Sequence, residues 1–262
     1  MPYKRTMSRL RIAIIGSGPA SQEPLTYVGA RWTVRGLLGR KLQDFAKSKR
    51  LIIESHLYWP AGNPRDYPIP GTYDALVFPG SKLNIDKQGL EENHWMGGLL
   101  DFIRETDSEV PVLGICFGHQ AIAVARGGRV ERIPKPLGAE VGFSPVFMTE
   151  EGQNDEIFDG IPANFSGLFS HFTYVSKPPR DSSVLAYGVK SDMVQAYKIG
   201  SSTWGVQFHP DYSPQNIDEL VDRRKSSLGR MLDLSNISTI NPERHDHRVL
   251  ENFVDHAFET LN

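Results

Sequence analysis

The segment Val112-Leu113-Gly114-Ile115-Cys116-Phe117-Gly118-His119-Gln120 constrains the fold of this chain more than any other. Its apolar, β-branched start reads as a buried strand, the Ala-rich stretch from Gln120 to Arg126 reads as a helix, and Cys116 falls on the turn between them. Glycines two residues before and two residues after the thiol let that turn be sharp. A core strand has no use for glycine on both sides of a buried cysteine, because each one weakens the strand and packs nothing. The pattern is that of a nucleophile elbow, with sulfur where a hydrolase carries serine oxygen. A helix starting just past the thiol adds positive partial charge that stabilises the thiolate, the reactive form. Cys116 is therefore a candidate nucleophile, with a small buried apolar residue as the alternative reading.

Other segments fit the same architecture. Arg11 to Gly16 reads as a first strand, Leu51 to Glu54 as a second, Tyr73 to Phe78 as a third, and the run from Pro111 leads to the thiol, with a helix over about His94 to Arg104 before it. Strand, helix and strand in succession imply parallel pairing with right-handed crossovers. The expected class is α/β, a doubly wound, mostly parallel, flavodoxin-like sheet whose sites lie at the carboxyl ends of the strands. Gly16-Ser17-Gly18-Pro19-Ala20-Ser21 is a poor dinucleotide fingerprint, since Ser21 replaces the third glycine and Pro19 interrupts the loop. It reads as a plain strand-to-loop turn. Four prolines between Tyr58 and Gly71 indicate an extended loop, either a substrate-facing wall or a rigid surface connection.

After Gly127-Gly128 the pattern changes. Val141 to Thr149, Gly167 to Val175, Val184 to Tyr187, Met193 to Ile199 and Thr203 to Phe208 read as strands of added antiparallel hairpins. Ser213-Pro214 suits the cap and first turn of a helix running to about Arg224. A last helix, about Pro242 to Leu261, carries Val249, Phe253, Val254, Ala257, Phe258 and Leu261 on one docking stripe. His245 and His247 near its start point in different directions and read as solvated, so no metal site is expected. The whole chain, 1–262, reads as one domain with a C-terminal helical extension from about 212.

A catalytic thiol needs a base, and histidine is best poised for it. Of eight histidines, His209 stands out: it follows the apolar run Trp204-Gly205-Val206-Gln207-Phe208, is held by Pro210, and precedes Asp211, which is placed to orient the imidazole. Gly114-Ile115-Cys116-Phe117-Gly118-His119-Gln120 together with Gly205-Val206-Gln207-Phe208-His209-Pro210-Asp211 resembles the class I glutamine amidotransferase domain, as found in GMP synthase and in plant γ-glutamyl peptidases. Cys116 and His209 lie 209 − 116 = 93 residues apart, a spacing that fits that family. Pro79-Gly80-Ser81 resembles its oxyanion loop, and the similarity runs from roughly Tyr73 to Asp211.

The resemblance implies a class I glutamine amidotransferase fold and a Cys116, His209, Asp211 triad that attacks a γ-glutamyl amide through a thioester. It places backbone N–H groups of Gly80 or Ser81 and of Phe117 on the oxyanion. Gln120, His171, Phe172 and Thr173 would meet the substrate, and His119 would be structural. The family usually has glutamate where Asp211 stands, one methylene longer. Acidic residues are also usual where Thr173 and Tyr174 lie, which points away from free glutamine and toward a different γ-glutamyl substrate. The partners implied are a small γ-glutamyl compound and, in one variant, a separate synthase subunit that receives ammonia. A diverged binding or regulatory module is the reading from another class. No cofactor is implied. The formal charge of −2 gives no reason to expect nucleic acid. No apolar run approaches a bilayer span, and a single cysteine excludes an intramolecular disulfide, so a cytoplasmic location is expected.

Overall fold

The computed structural model describes residues 7–17, 31, 33, 36, 40–60, 64–135, 137–189, 193–213 and 244–261. In chain order the described elements are β1 (Ser8–Ile15), α1 (Arg40–Ser48), β2 (Leu51–Tyr58), β3 (Ala75–Phe78), α2 (Lys87–Glu92), α3 (Met96–Glu105), β4 (Val112–Ile115) and α4 (Phe117–Ala125). They continue with β5 (Arg129–Arg132), β6 (Glu140–Met148), α5 (Glu150–Gln153), β7 (Asn164–His171), β8 (Thr173–Lys177), β9 (Ser182–Tyr187), β10 (Val194–Ile199), β11 (Thr203–Val206) and α6 (Arg248–Glu259). The helix read after Ser213 and the first residues of the one read from Pro242 lie outside the described residues.

One sheet carries the strands in the order β2-β1-β3-β4-β11-β10-β9-β6-β7, with β5 and β8 paired beside that path. From β2 to β11 all pairings are parallel. From β11 onward they are antiparallel. The class expected from the sequence, α/β with helices on both faces, is the class observed. Alternation along the strands explains the two faces. Leu10, Ile12 and Ile14 of β1 pack with Leu42 and Ala46 of α1 and with Val249, Phe253 and Val254 of α6. The intervening Ala13 and Ile15 pack on the other side with Met96 and Leu99 of α3 and Phe117 and Ala121 of α4. Each fully buried Ile or Leu in these layers contributes about 1.5–3 kcal/mol relative to exposure. Of the stripe read on the last helix, Val249, Phe253, Val254 and Ala257 are buried, while Leu261 is exposed. Among the described residues no helix is long and apolar enough to cross a membrane.

Two elements differ from the sequence reading. The run Gly167 to Val175 is not one strand: it ends β7 at His171, turns a corner at Phe172 and starts β8 at Thr173. The two pieces have different partners, β6 for β7 and β5 for β8. Thr203 to Val206 forms the antiparallel hairpin read for it, with β10, but does not lie at the margin of the sheet. It sits in the centre of the sheet, parallel to β4, with Ile115 opposite Val206. That insertion brings the ends of β4 and β11 side by side and sets up the site.

Candidate functional site

The local strand-to-helix geometry at Cys116 is unusual. Cys116 has φ 52° and ψ −102°, in a region that L-residues rarely occupy. Its N–H donates to Val206 O at 2.9 Å, and its carbonyl accepts from Gln120 N at 3.1 Å, so the turn is tied to β11 on one side and α4 on the other. Both bracketing glycines are required by close approach. A Cβ on Gly118 would lie 1.9 Å from Phe78 O, and one on Gly114 would lie 2.7 Å from the backbone of Gly118. The helix is pressed against β3 and its own preceding strand, which leaves Cys116 at the α4 N-terminus. Phe117 is the first helical residue, where an N–H has no intrahelical acceptor and is oriented for an anion.

His209 lies just beyond the end of β11. Its N–H donates to Leu168 O of β7 at 2.7 Å. The imidazole meets the Cys116 thiol in hydrogen-bond contact on one side and puts Nδ1 3.1 Å from Asp211 Oδ1 on the other. The other carboxylate oxygen, Oδ2, accepts from Thr33 Oγ1 at 2.7 Å. The shorter side chain of aspartate thus reaches the imidazole in this backbone. Burial works against a charged His209, but the Cys116 and Asp211 charges outweigh it and push its pKa up to about 9. Gly80 presses against the pair: a Cβ there would stand 2.6 Å from His209 Cε1 and 3.6 Å from Cys116 Cβ. Only a residue without a side chain fits. The next residue, Ser81, stabilises the loop by accepting from Leu83 N at 3.2 Å.

A narrow cleft opens beside the thiol, lined by Ser81, Asn84, Phe117, Gln120, His171 and Thr173 among others. The residues read as substrate-binding all border it, but three of them spend their polar atoms on one another. Gln120 donates from Nε2 to Thr173 O at 2.7 Å and to Gln207 Oε1 at 2.8 Å, and its Oε1 accepts from Thr173 Oγ1 at 2.9 Å. His171 sets Nδ1 2.8 Å from Thr173 O and Nε2 3.0 Å from Glu140 Oε2. With oxygen acceptors at both ring nitrogens, His171 is a buried brace for the cleft wall. Phe172 supplies the corner whose carbonyl accepts from Ile133 N at 2.9 Å. His119, read as structural, is fully buried, and burial pulls its pKa down to about 3. His245 and His247, read as solvated, are half-buried.

Sequence reasoning missed Thr33, Tyr212 and Arg244. Tyr212 stacks on His209, ring centroids 3.8 Å apart and planes 17° from parallel. Arg244 donates to the carbonyls of His209 and Tyr212. Tyr212 stood next to Asp211 in the sequence as an available signal. Thr33 and Arg244 carried none, being separated by 178 and 35 positions from the groups they bond.

The sequence model of the class-I glutamine amidotransferase family matches residues 68–224, which contain the elbow, the Gly80 loop and the His209 loop. The chain belongs to the class I glutamine amidotransferase family. A γ-glutamyl peptidase 4 of Arabidopsis thaliana is 32% identical over 154 residues, covering 58% of this chain and 59% of that protein. A subunit of the glutamine-hydrolyzing GMP synthase of Ignicoccus hospitalis is 35% identical over 161 residues, 60% of this chain and 78% of the relative. The matched region therefore spans less than two thirds of the plant peptidase. The fold extends further than these alignments. A glutamine amidotransferase from Thermotoga maritima superposes with a TM-score of 0.65 at 18% identity, over 95% of this chain and 98% of its own. One from Methylobacillus flagellatus gives 0.62 at 19% identity, over 97% and 96%.

Proposed function

We propose that this amidotransferase-family chain hydrolyses a γ-glutamyl amide through a thioester on Cys116. The carrying observation is the linked set of Cys116 on its positive-φ turn, the His209 imidazole in contact with the thiol, and Asp211 on the far side of the ring. His209 takes the thiol proton, and Sγ attacks the amide carbonyl. The oxygen of the tetrahedral intermediate is met by N–H groups of Phe117 and of Gly80 or Ser81, each such donor typically lowering the barrier by about 3 kcal/mol. The imidazolium then returns the proton to the departing ammonia or amine, and the C–N bond breaks. Water, deprotonated by the same imidazole, opens the thioester and releases the acid. Asp211 holds Nδ1–H and keeps Nε2 turned to the sulfur.

A panel of glutamine, γ-glutamyl peptides and γ-glutamyl amines, followed by mass analysis, tests this reading. A Cys116 adduct of one glutamyl unit, absent in Cys116→Ala, is the expected result. Equal slow cleavage by both proteins across the panel would defeat it. A second reading is supported by the relatives named as subunits of glutamine-hydrolyzing GMP synthases: an ammonia-supplying component for a separate synthase. Glutaminase activity that rises when a co-purifying partner is restored would favour it over the stand-alone hydrolase.

A further inference from the structure

The stack of Tyr212 on His209 is built from outside the catalytic turn. Both residues are buried, and the rings face one another at 3.8 Å rather than meeting edge to face. Arg244 fixes both backbones at once, donating from Nη2 to His209 O at 3.1 Å and from Nη1 to Tyr212 O. The guanidinium is itself set by Asp246, 2.8 Å from Nε and 2.6 Å from Nη2, and lies 5.8 Å over the Phe143 ring. Asp246 is completely buried; burial pushes its carboxyl up, while Arg244 and the Leu168 N–H pull it down. Leu168 is also the residue whose carbonyl receives the His209 N–H. Residues 244–246 lie beyond the segment matched by the family's sequence model.

We infer that Tyr212 is a positioning residue of the thiol–imidazole pair, its ring face held by Arg244 against the imidazole so that the charged imidazolium is favoured over the neutral ring. A parallel stack at this distance gives a neutral ring modest dispersion, whereas a cation over the face of a phenol gains electrostatically, most of all away from water. The other groups around His209 are consistent with this. Cys116 faces one edge and Asp211 the other. Thr33 meets Asp211 rather than the ring. Gly80 brings no charge. β7 offers the Leu168 carbonyl, and the positive charge of Arg244 is offset by Asp246. Among the described residues Tyr212 is the aromatic face stacked on the imidazole. The inference rests on the proposed triad, and its test is chosen to separate the two.

Cys116 is the sole cysteine, so the rate of its alkylation by iodoacetamide reports on the pair without any knowledge of the substrate. Against pH this rate should show two ionisations, thiolate formation and, higher, loss of the imidazolium proton. Tyr212→Phe should leave the upper one where the wild type has it. Phenylalanine analogues of increasing ring fluorination at position 212 keep the shape and drain the ring face of charge. They should move it progressively down, by about half to one pH unit in all. An upper ionisation unmoved by fluorination, with Cys116 still reacting fast, overturns the role of Tyr212 and leaves the triad standing. A wild-type Cys116 no faster than an ordinary thiol at neutral pH overturns the triad and this inference with it.

Discussion

Two histidines, equally withdrawn from water, sit on either side of the Cys116 turn, and their surroundings drive them to opposite charge states. His119 lies three residues into α4, its ring against the Tyr197 ring at 4.8 Å and its nitrogens without a hydrogen-bond partner of good geometry. Burial dominates there, and the ring is held neutral, with its pKa near 3. His209 is buried to the same extent, yet a thiol, a carboxylate and a stacked phenol surround it, and its pKa rises to about 9. Desolvation alone therefore holds a histidine neutral, and the partner charges make one that keeps its proton to higher pH. The position of each ring follows from the backbone: His119 is committed to the helix interior, whereas His209 stands on the loop that continues β11.

The contrast is broken most severely at His209 itself. His209→Gln removes the proton carrier, and turnover on the best γ-glutamyl substrate should fall by about ten-thousandfold, measured by single-turnover release of amine. Gly80→Ala forces a methyl to within 2.6 Å of His209 Cε1. We expect about a thousandfold loss in the same assay, because both the imidazole and the oxyanion donors are displaced. Unchanged turnover would remove Gly80 from the site.

Asp211→Asn keeps the shape of the orienter and removes its charge. About a hundredfold slower turnover is expected, a smaller loss than in a serine triad because a thiol ionises with less help from its base. The alkaline limb of the Cys116 alkylation profile should also shift downward, toward a histidine without its counter-charge. Thr33→Val deletes the 2.7 Å donor to Asp211. A loss of about fivefold in turnover is expected, with Thr33→Ser restoring it, in line with the roughly 1 kcal/mol of an ordinary hydrogen bond. His119→Phe should leave turnover nearly unchanged and instead alter stability against pH.

The signs of the two pH effects are opposite. A neutral His119, with a folded pKa near 3 against 6.5 for an unperturbed imidazole, makes the fold lose stability as pH falls from about 6.5 through 3. His119→Phe should flatten that acid limb in thermal melts. The raised pKa of His209 gives a contribution present in full below about pH 6.5 and lost as pH rises through about 9. His209→Gln should flatten the alkaline limb. An acid limb unchanged in His119→Phe would show that His119 is not the group responsible.

Much of this site was legible in the residues alone. The turn at Cys116 was readable because a glycine-bracketed turn between a β-branched run and an Ala-rich run has few other uses, and the φ of 52° makes it as sharp as that reading requires. His209 and Asp211 were readable as one linear motif. The corner at Phe172 was not, since no glycine, proline, asparagine or aspartate stands between Leu168 and Val175 to mark a change of partner. The central place of β11 was hidden as well: a four-residue apolar strand fits a hairpin edge and a parallel core equally well. α2 went unread because Gly89 weakens its helical pattern, while its Asp86 cap, 2.9 Å from Gly89 N, is supplied in one residue. Gln120 was readable as a cleft residue, but not that Thr173 and Gln207 occupy its amide. That exchange joins residues 53 and 87 positions away.

The side-by-side placement of β4 and β11 also bears on how the chain comes to be armed. The thiol turn is assembled by neighbours in sequence, but its N–H finds Val206 and its base arrives with His209, across a closed loop of 209 − 116 = 93 residues. Contacts of such separation form late, after the entropy of the intervening loop has been overcome. Until β11 enters between β4 and β10 the sulfur has neither base nor aligned backbone. Under the proposed mechanism, a partly folded or still emerging chain therefore carries an ordinary thiol, and the reactive one belongs to the finished sheet.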